Sequence, residues 1–230
     1  MIILQLHNAF SIFIIFILAK NLNINNIIKN PKYKNEFTEK NTLTSIKHPG
    51  NAWSSIIYAF IGLYLLNTSS SIRPYSRCVE GSLLIWFAWL SFTYHSTEND
   101  WIGALDITLV IHLCISCLTH SLGLADINCI LMSWSILLYF LLNVYENKDE
   151  PSNSITVKYM MPIVTTLVII LMWFQVGFWM RFFTFGLGFL LKKIDRIGAD
   201  KGIILGVING TSLFHILTGI AMYMHYEVML

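Results

Sequence analysis

Seven long apolar segments constrain this chain more than anything else in it. They run approximately over 51–67, 79–96, 101–121, 126–145, 157–175, 177–194 and 203–226. Inside a bilayer the backbone has no water to bond, so a spanning segment must be a helix or a strand of a closed barrel. These segments are too long and too continuously apolar for barrel strands of about ten alternating residues. Composition agrees: 55% of the 230 residues are hydrophobic and 12% are charged, against about 25% charged in a soluble domain, and mean hydropathy is +0.61. The expected fold is an all-α membrane protein, a seven-transmembrane helix bundle with an extra N-terminal signal or anchor segment.

Three regions follow from the same reading. Residues 1–19 hold an apolar run, AFSIFIIFILA at 9–19, which is short beside the roughly 20 residues of a spanning helix and lacks a positive n-region. They read as a signal peptide or weak anchor. Residues 20–47 are rich in Asn, Ile and Lys and are expected to form a poorly ordered arm. Residues 48–230 form the membrane domain, punctuated by STEND (96–100), ENKDEPSNS (146–154) and KKIDRIGADKG (192–202). The boundary between the fifth and sixth spans falls near Gln175–Arg181, and Asn209-Gly210 is a second candidate start for the last helix.

Of the 15 Lys and Arg, all but Arg73, Arg77 and Arg181 lie on the side of the 20–50 arm. The positive-inside rule puts that side in the cytoplasm; a cleaved signal peptide puts it outside. Net charge is +2 with no basic run in a soluble segment, so no nucleic-acid partner is expected. Cys114 and Cys117 form a CxxC inside an apolar segment without the second ligand pair a zinc knuckle needs, and read as small apolar residues. A Cys78–Cys129 disulfide near one membrane face is conceivable. Neither an internal repeat nor paired broken helices are present, which counts against a transporter.

A few polar residues interrupt the apolar segments. Ser91 and His95 (SFTYH) close the second, Asp106 (WIGALDITLVIH) opens the third, and His215 (SLFHILTG) lies in the last. An Asp at a membrane-helix centre costs roughly 2.5–3.5 kcal/mol even on lenient scales, so such residues are functional candidates by default. Singly each has a bland explanation: a packing serine, an interfacial histidine, an interhelical hydrogen bond. Jointly they do not. Ser91 and His95 are four residues apart and share a helix face, about 6 Å from one another. The five-residue STEND turn returns Asp106 beside the end of the second span, and His215 reaches the same depth if the last helix starts near Asn209. One carboxylate and two imidazoles around a hydroxyl suit a zinc site with an open position for water. His112 lies off the Asp106 face, so His112 and His120 read as non-ligands, and His225, near the chain end, reads as interfacial. Trp53, Trp86, Trp89 and Trp101 fit the core or the aromatic belt.

These motifs resemble the alkaline ceramidases and their ceramidase-like relatives, part of a superfamily of seven-helix membrane hydrolases that includes the adiponectin receptors. HPGNAWSSIIYAFIGLYLL (48–66) is similar to the family's NTWSN opening, with Asn51, Trp53 and Ser54 in place. SFTYH supplies its Ser-x-x-x-His, and the step from His95 to Asp106 resembles its step to an Asp. GLGFLLKKIDR (186–196) is similar to its sixth helix with a trailing acid, and GTSLFHILTG (210–219) to its last metal-binding segment. The match runs over about 48–226.

The resemblance implies His95 and His215 as zinc ligands, with Asp106 and Ser91 as catalytic residues flanking the metal's water. It implies cleavage of the amide of a ceramide or related membrane lipid, in an endoplasmic reticulum or Golgi membrane, or a plastid membrane if the cell is algal. The family's third histidine falls at Thr211, a poor zinc ligand left as a vestigial or supporting position. His48 stands where the eukaryotic enzymes carry the last Glu of a calcium segment, so no calcium site is expected. A zinc-dependent amidohydrolase is thus set against a non-catalytic lipid-binding or receptor-like relative with a degraded metal site, and more distantly against a channel.

Overall fold

The computed structural model describes residues 45–68, 74–99, eight positions between 102 and 113 (102, 103, 105, 106, 109, 110, 112 and 113), 178–199 and 208–228. Every regular element among them is helical: α1 Pro49–Ser54, α2 Ile56–Asn67, α3 Pro74–Thr97, α4 Phe178–Ala199 and α5 Gly210–Val228. The eight described positions between 102 and 113 are helical as well. The all-α expectation therefore holds for the described residues. The expected signal segment, most of the arm, and the spans at 126–145 and 157–175 lie outside them, as does Cys129; Cys78 is a buried free thiol. None of the described helices is long and apolar enough to cross a membrane. All three long helices carry charge, Arg77 and Glu80 on α3, Arg181, Lys192, Lys193, Asp195 and Arg196 on α4, and Glu227 on α5.

Helices α2 and α3 pack along one another, as do α4 and α5, and α1 touches α3 and α5 to join the two pairs. The α2–α3 contact is a backbone-to-backbone approach. A Cβ on Gly62 would lie 2.5 Å from the Gly81 carbonyl, and one on Gly81 would lie 2.7 Å from the Gly62 carbonyl. Only a pair of glycines permits that spacing, the usual reason for small residues between closely packed helices. Around it Tyr58, Leu65, Leu84, Phe87 and Leu113 build a single apolar core, with Tyr58 and Phe87 ring to ring at 4.6 Å.

Pro49 starts α1, where a missing N–H costs nothing, and the two residues before it close the end of α3. The Lys47 N–H donates to the Ser96 carbonyl at 3.2 Å and the His48 N–H to the His95 carbonyl at 3.0 Å. Those carbonyls belong to the last turn of α3 and have no partner within the helix. The chain leaves α3 through Glu98 at φ 51°, a left-handed position usually given to Gly or Asn. Its N–H still reaches the Tyr94 carbonyl at 2.7 Å. The carboxylate is thereby turned onto Lys47 Nζ at 2.8 Å and His48 Nε2 at 2.7 Å. This clasp ties the start of α1 to the end of α3, the end that bears His95.

Two opposed effects meet at Glu98. Left-handed backbone costs a non-glycine residue roughly 1–2 kcal/mol, while a partly exposed ion pair returns about 0.2–1 kcal/mol. Glu98→Gly should consequently be milder than Glu98→Ala, by about 1 kcal/mol in denaturant unfolding. Burial acts to raise the Glu98 pKa, but Lys47 and His48 outweigh it and hold the carboxyl below its ordinary range. A lowered folded-state pKa adds stability that is present above the ordinary carboxylate range and lost as pH falls through the lowered value. The melting-temperature gap between wild type and Glu98→Gln should be open at about pH 7 and close towards about pH 4.

Candidate functional site

The site starts with an interruption in a helix. Ser55 separates α1 from α2, and its N–H bonds the Ala52 carbonyl at 3.2 Å, one residue tighter than α-helical pairing. The Asn51 carbonyl, its regular acceptor, is released. It accepts instead from Ser54 Oγ at 3.0 Å, Ser55 Oγ at 2.9 Å and His215 Nδ1 at 3.2 Å. Serine hydroxyls that compete for the carbonyl four residues back are a known cause of such bends. A carbonyl can only accept, so this contact assigns the His215 proton to Nδ1 and leaves the lone pair on Nε2. Ser54 Oγ at 2.9 Å and Ser55 Oγ at 3.3 Å steady the same nitrogen.

Helix α5 brings His215 to this point through a capped start. The Asn209 side chain accepts the Ser212 N–H at 2.8 Å, which is N-cap geometry and sets the helix start at Gly210. Ser212 Oγ in turn reaches Asn51 Oδ1 at 3.2 Å, so Asn51 holds α5 with both its carbonyl groups. Below the imidazole, Tyr58 Oη and Thr218 Oγ1 are 2.6 Å apart, and the Tyr58 ring lies 6.0 Å from the His215 ring.

The sequence-predicted residues gather here. Ser91, Asp106, His95 and His215 are all buried. Ser91 Oγ lies 3.1 Å from Ser55 Oγ, which carries the network from α1 to α3. The His95 and His215 rings are 5.2 Å apart, centroid to centroid. Asp106 lies beside the Ser91 hydroxyl and within electrostatic reach of Lys192; its Oδ1 is a buried oxygen without a hydrogen-bond partner among the described residues.

Thr211, expected as a vestigial or supporting position, is bonded to α4. Its hydroxyl donates to Asp195 Oδ2 at 2.7 Å and its N–H to the same oxygen at 3.2 Å. The position where a third histidine was sought is a lock between α4 and α5. Gly210 makes the lock possible, since a Cβ there would run into the Leu191 carbonyl and stand 2.6 Å from the Asp195 Cβ.

The centroid spacing of the imidazole pair is one that two ligands of a single zinc ion would also have. A zinc–nitrogen bond of about 2.1 Å puts each ring centroid about 3.2 Å from the ion, and a tetrahedral angle then separates two centroids by about 5.2 Å. The third ligand does not fit: Thr211 is engaged with Asp195, and among the described residues no three His, Cys, Asp or Glu side chains are grouped closely enough to hold a metal ion. His112 is buried and His120 lies outside the described residues. His225, expected at the interface, is fully buried with Arg181 Nη1 3.4 Å from its Nδ1. It lies about 15 Å along α5 from His215, at 1.5 Å per residue.

Several site residues escaped the sequence reading as functional candidates. Ser55 carries no signal beyond its place after the Asn-x-Trp-Ser motif. Asp195 was visible only as a trailing acid. Lys192 looked like part of a charged loop, yet its ammonium lies 4.2 Å over the Phe214 ring, a contact worth about 0.5–2 kcal/mol.

Gly210→Ala should force α4 and α5 apart and destabilise the fold by about 1–3 kcal/mol. Thr211→Val should cost a similar amount, about 1–3 kcal/mol, by leaving the Asp195 carboxylate short of a buried donor. Thermal unfolding of both variants checks this, and combining them should cost less than the sum because they loosen one contact.

No family model, curated protein or solved structure matches this chain.

Proposed function

We propose that this chain is a ceramidase-like integral membrane hydrolase that cleaves the amide bond of a ceramide or related lipid, with zinc held by His95 and His215. The observation that carries the reading is the convergence of Ser91, His95 and His215, from α3 and α5, on the Asn51–Ser55 break. The apolar surface supports a lipid setting. Trp179, Phe183, Leu187, Leu190 and Ile194 form an exposed stripe along α4 at helical spacing. Trp53, Trp86 and Trp89 are exposed as well, as residues of an interfacial belt would be. The proposed setting is a multi-pass bundle in an endoplasmic reticulum or Golgi membrane, with the buried site suited to a substrate arriving from the bilayer.

The chemistry follows from the residues. Zinc, when bound, supplies Lewis-acid activation at neutral pH. The Asn51 carbonyl and the Ser54 and Ser55 hydroxyls keep the His215 proton on Nδ1 and leave the lone pair on Nε2, the orienting role of groups behind a metal ligand. The Ser91 hydroxyl donates to the oxygen of the substrate carbonyl as negative charge develops on it. Asp106 accepts the proton released by attacking water and returns it to the departing amine.

The Thr211–Asp195 lock favours a second reading, a lipid-binding relative without catalysis, because it closes the third ligand position. Metal analysis and ceramide hydrolysis by the purified full chain separate the two. The hydrolase reading expects stoichiometric zinc and loss of both metal and activity in His95→Ala and His215→Ala. Asp106→Asn should lower kcat by about 10²–10⁴-fold with zinc retained, and Ser55→Ala should weaken metal binding or activity by about 10–100-fold. Metal-replete protein that neither binds zinc nor releases fatty acid would favour the lipid-binding relative. Zinc gained by Thr211→His alone would then show that two ligands still stand ready.

A further inference from the structure

The spacing of the two imidazoles does not come from packing between the helices that carry them. Helices α3 and α5 barely meet, and α1 packs against both. Residues 48–55 hold each histidine in turn. The His48 N–H donates to the His95 carbonyl at 3.0 Å. Three residues on, the Asn51 carbonyl accepts from His215 Nδ1 at 3.2 Å. Ser55 reaches both sides, its hydroxyl 3.1 Å from Ser91 Oγ on α3 and 3.3 Å from His215 Nδ1 on α5. From His48 to Ser55 the chain makes about two helical turns, a short spacer bonded at each end, so a shift at one end is carried to the other.

Glu98 holds the outer end of this spacer. Its φ of 51° is left-handed backbone that a glycine adopts without steric cost. The glutamate keeps that conformation and turns its carboxylate onto Lys47 Nζ at 2.8 Å and His48 Nε2 at 2.7 Å. The same two residues donate their N–H groups to the Ser96 and His95 carbonyls. Side-chain and backbone bonds thus close around one turn of α3, the turn that bears His95. The His48 ring is buried there, where water is a poor substitute for its carboxylate partner. Residues other than glycine that are held in sparsely used backbone regions cluster at functional sites, and Glu98 lies three residues from His95.

We infer that Glu98 is a positioning residue for the histidine pair. By holding Lys47 and His48 it seats α1 on the last turn of α3, and α1 carries that position on to His215 through the Asn51 carbonyl. This rests on the hydrolase reading for the metal that the pair would serve, but not for the geometry itself. Glu98 touches neither substrate nor metal, so its effect reaches the site only through residues 47–51.

The test uses the purified full chain with Glu98→Gly, Glu98→Ala and Glu98→Gln. Zinc affinity is measured by competition with a chelator, and ceramide hydrolysis alongside it. Exchange of the His215 ring N–H is followed by NMR on protein labelled with nitrogen-15 at histidine, and thermal unfolding reports stability. Glycine relieves the left-handed backbone and alanine does not, yet both remove the clasp. The two should therefore weaken zinc binding alike, by about tenfold, and speed exchange of the ring N–H alike, although Glu98→Gly is the more stable. Glu98→Gln keeps an oxygen for Lys47 and His48 and should stay within about threefold of wild type on both measures. Wild-type zinc affinity and ring exchange in Glu98→Gly overturn the inference, as do losses that follow melting temperature across the three variants. If wild type itself binds no zinc and cleaves no ceramide, the hydrolase reading fails, and exchange of the His215 ring N–H still decides the role of Glu98.

Discussion

The Asn51 carbonyl is the contact on which the site depends. A regular helix would have consumed it. The one-residue tightening at Ser55 releases it, and the same residue then uses its hydroxyl to hold the break open. The freed acceptor takes the His215 N–H, and its own side chain takes Ser212 on the same helix. One residue of α1 therefore sets both the rotation of α5 and the tautomer of its histidine. Without that break, His215 would have to place an imidazole N–H in an apolar interior with no carbonyl to receive it, at a cost of about 1–3 kcal/mol.

Two further devices hold the elements that meet there. Lys47 and His48 close the last turn of α3 with their backbone N–H groups and clasp Glu98 with their side chains. This fixes the height of His95 relative to α1. Asp195 closes the start of α5 against α4 through two donors of Thr211. One set of polar contacts thus surrounds the histidine pair, and a second, of Arg77 with Thr68, Tyr64 with Glu227 and Arg181 with His225, lies away from it, with the Gly62–Gly81 approach and the Tyr58–Phe87 contact packing α2 on α3. Buried networks of this kind are costly when half satisfied and specific when complete, which suits a site that must hold two imidazoles at a set spacing.

Much of this was legible beforehand. The i, i+4 spacing put Ser91 and His95 on one face of α3, and the short STEND turn returned Asp106 towards them. Asn209-Gly210 marked the start of α5, as its cap confirms. Local pattern carries such information because a helix has a fixed rise and period. The roles of Thr211, Asp195, Ser55 and Lys192 were not legible, since each is defined by a partner 16 or more residues away or by a ring on another helix. Thr211 shows the difference best. Read by position it was a lost metal ligand, and read by contact it is half of an interhelical bond.

By itself the sequence determined that the described segments are helices, offered Asn209-Gly210 as one start for α5, and showed which serine, histidines and aspartate lie towards one end. Apolar runs, caps and periodicity act over a turn or two of chain, so they need no tertiary partner to be read. Only the tertiary structure decided that the Asn51 carbonyl turns from its own helix to His215, that the His95 and His215 rings stand 5.2 Å apart, that Thr211 bonds Asp195, and that Lys192 lies over Phe214. Those outcomes depend on how closely glycines let helices approach and on which donors are left over once each helix has satisfied its own backbone. Both are properties of the packed helices and of no single segment.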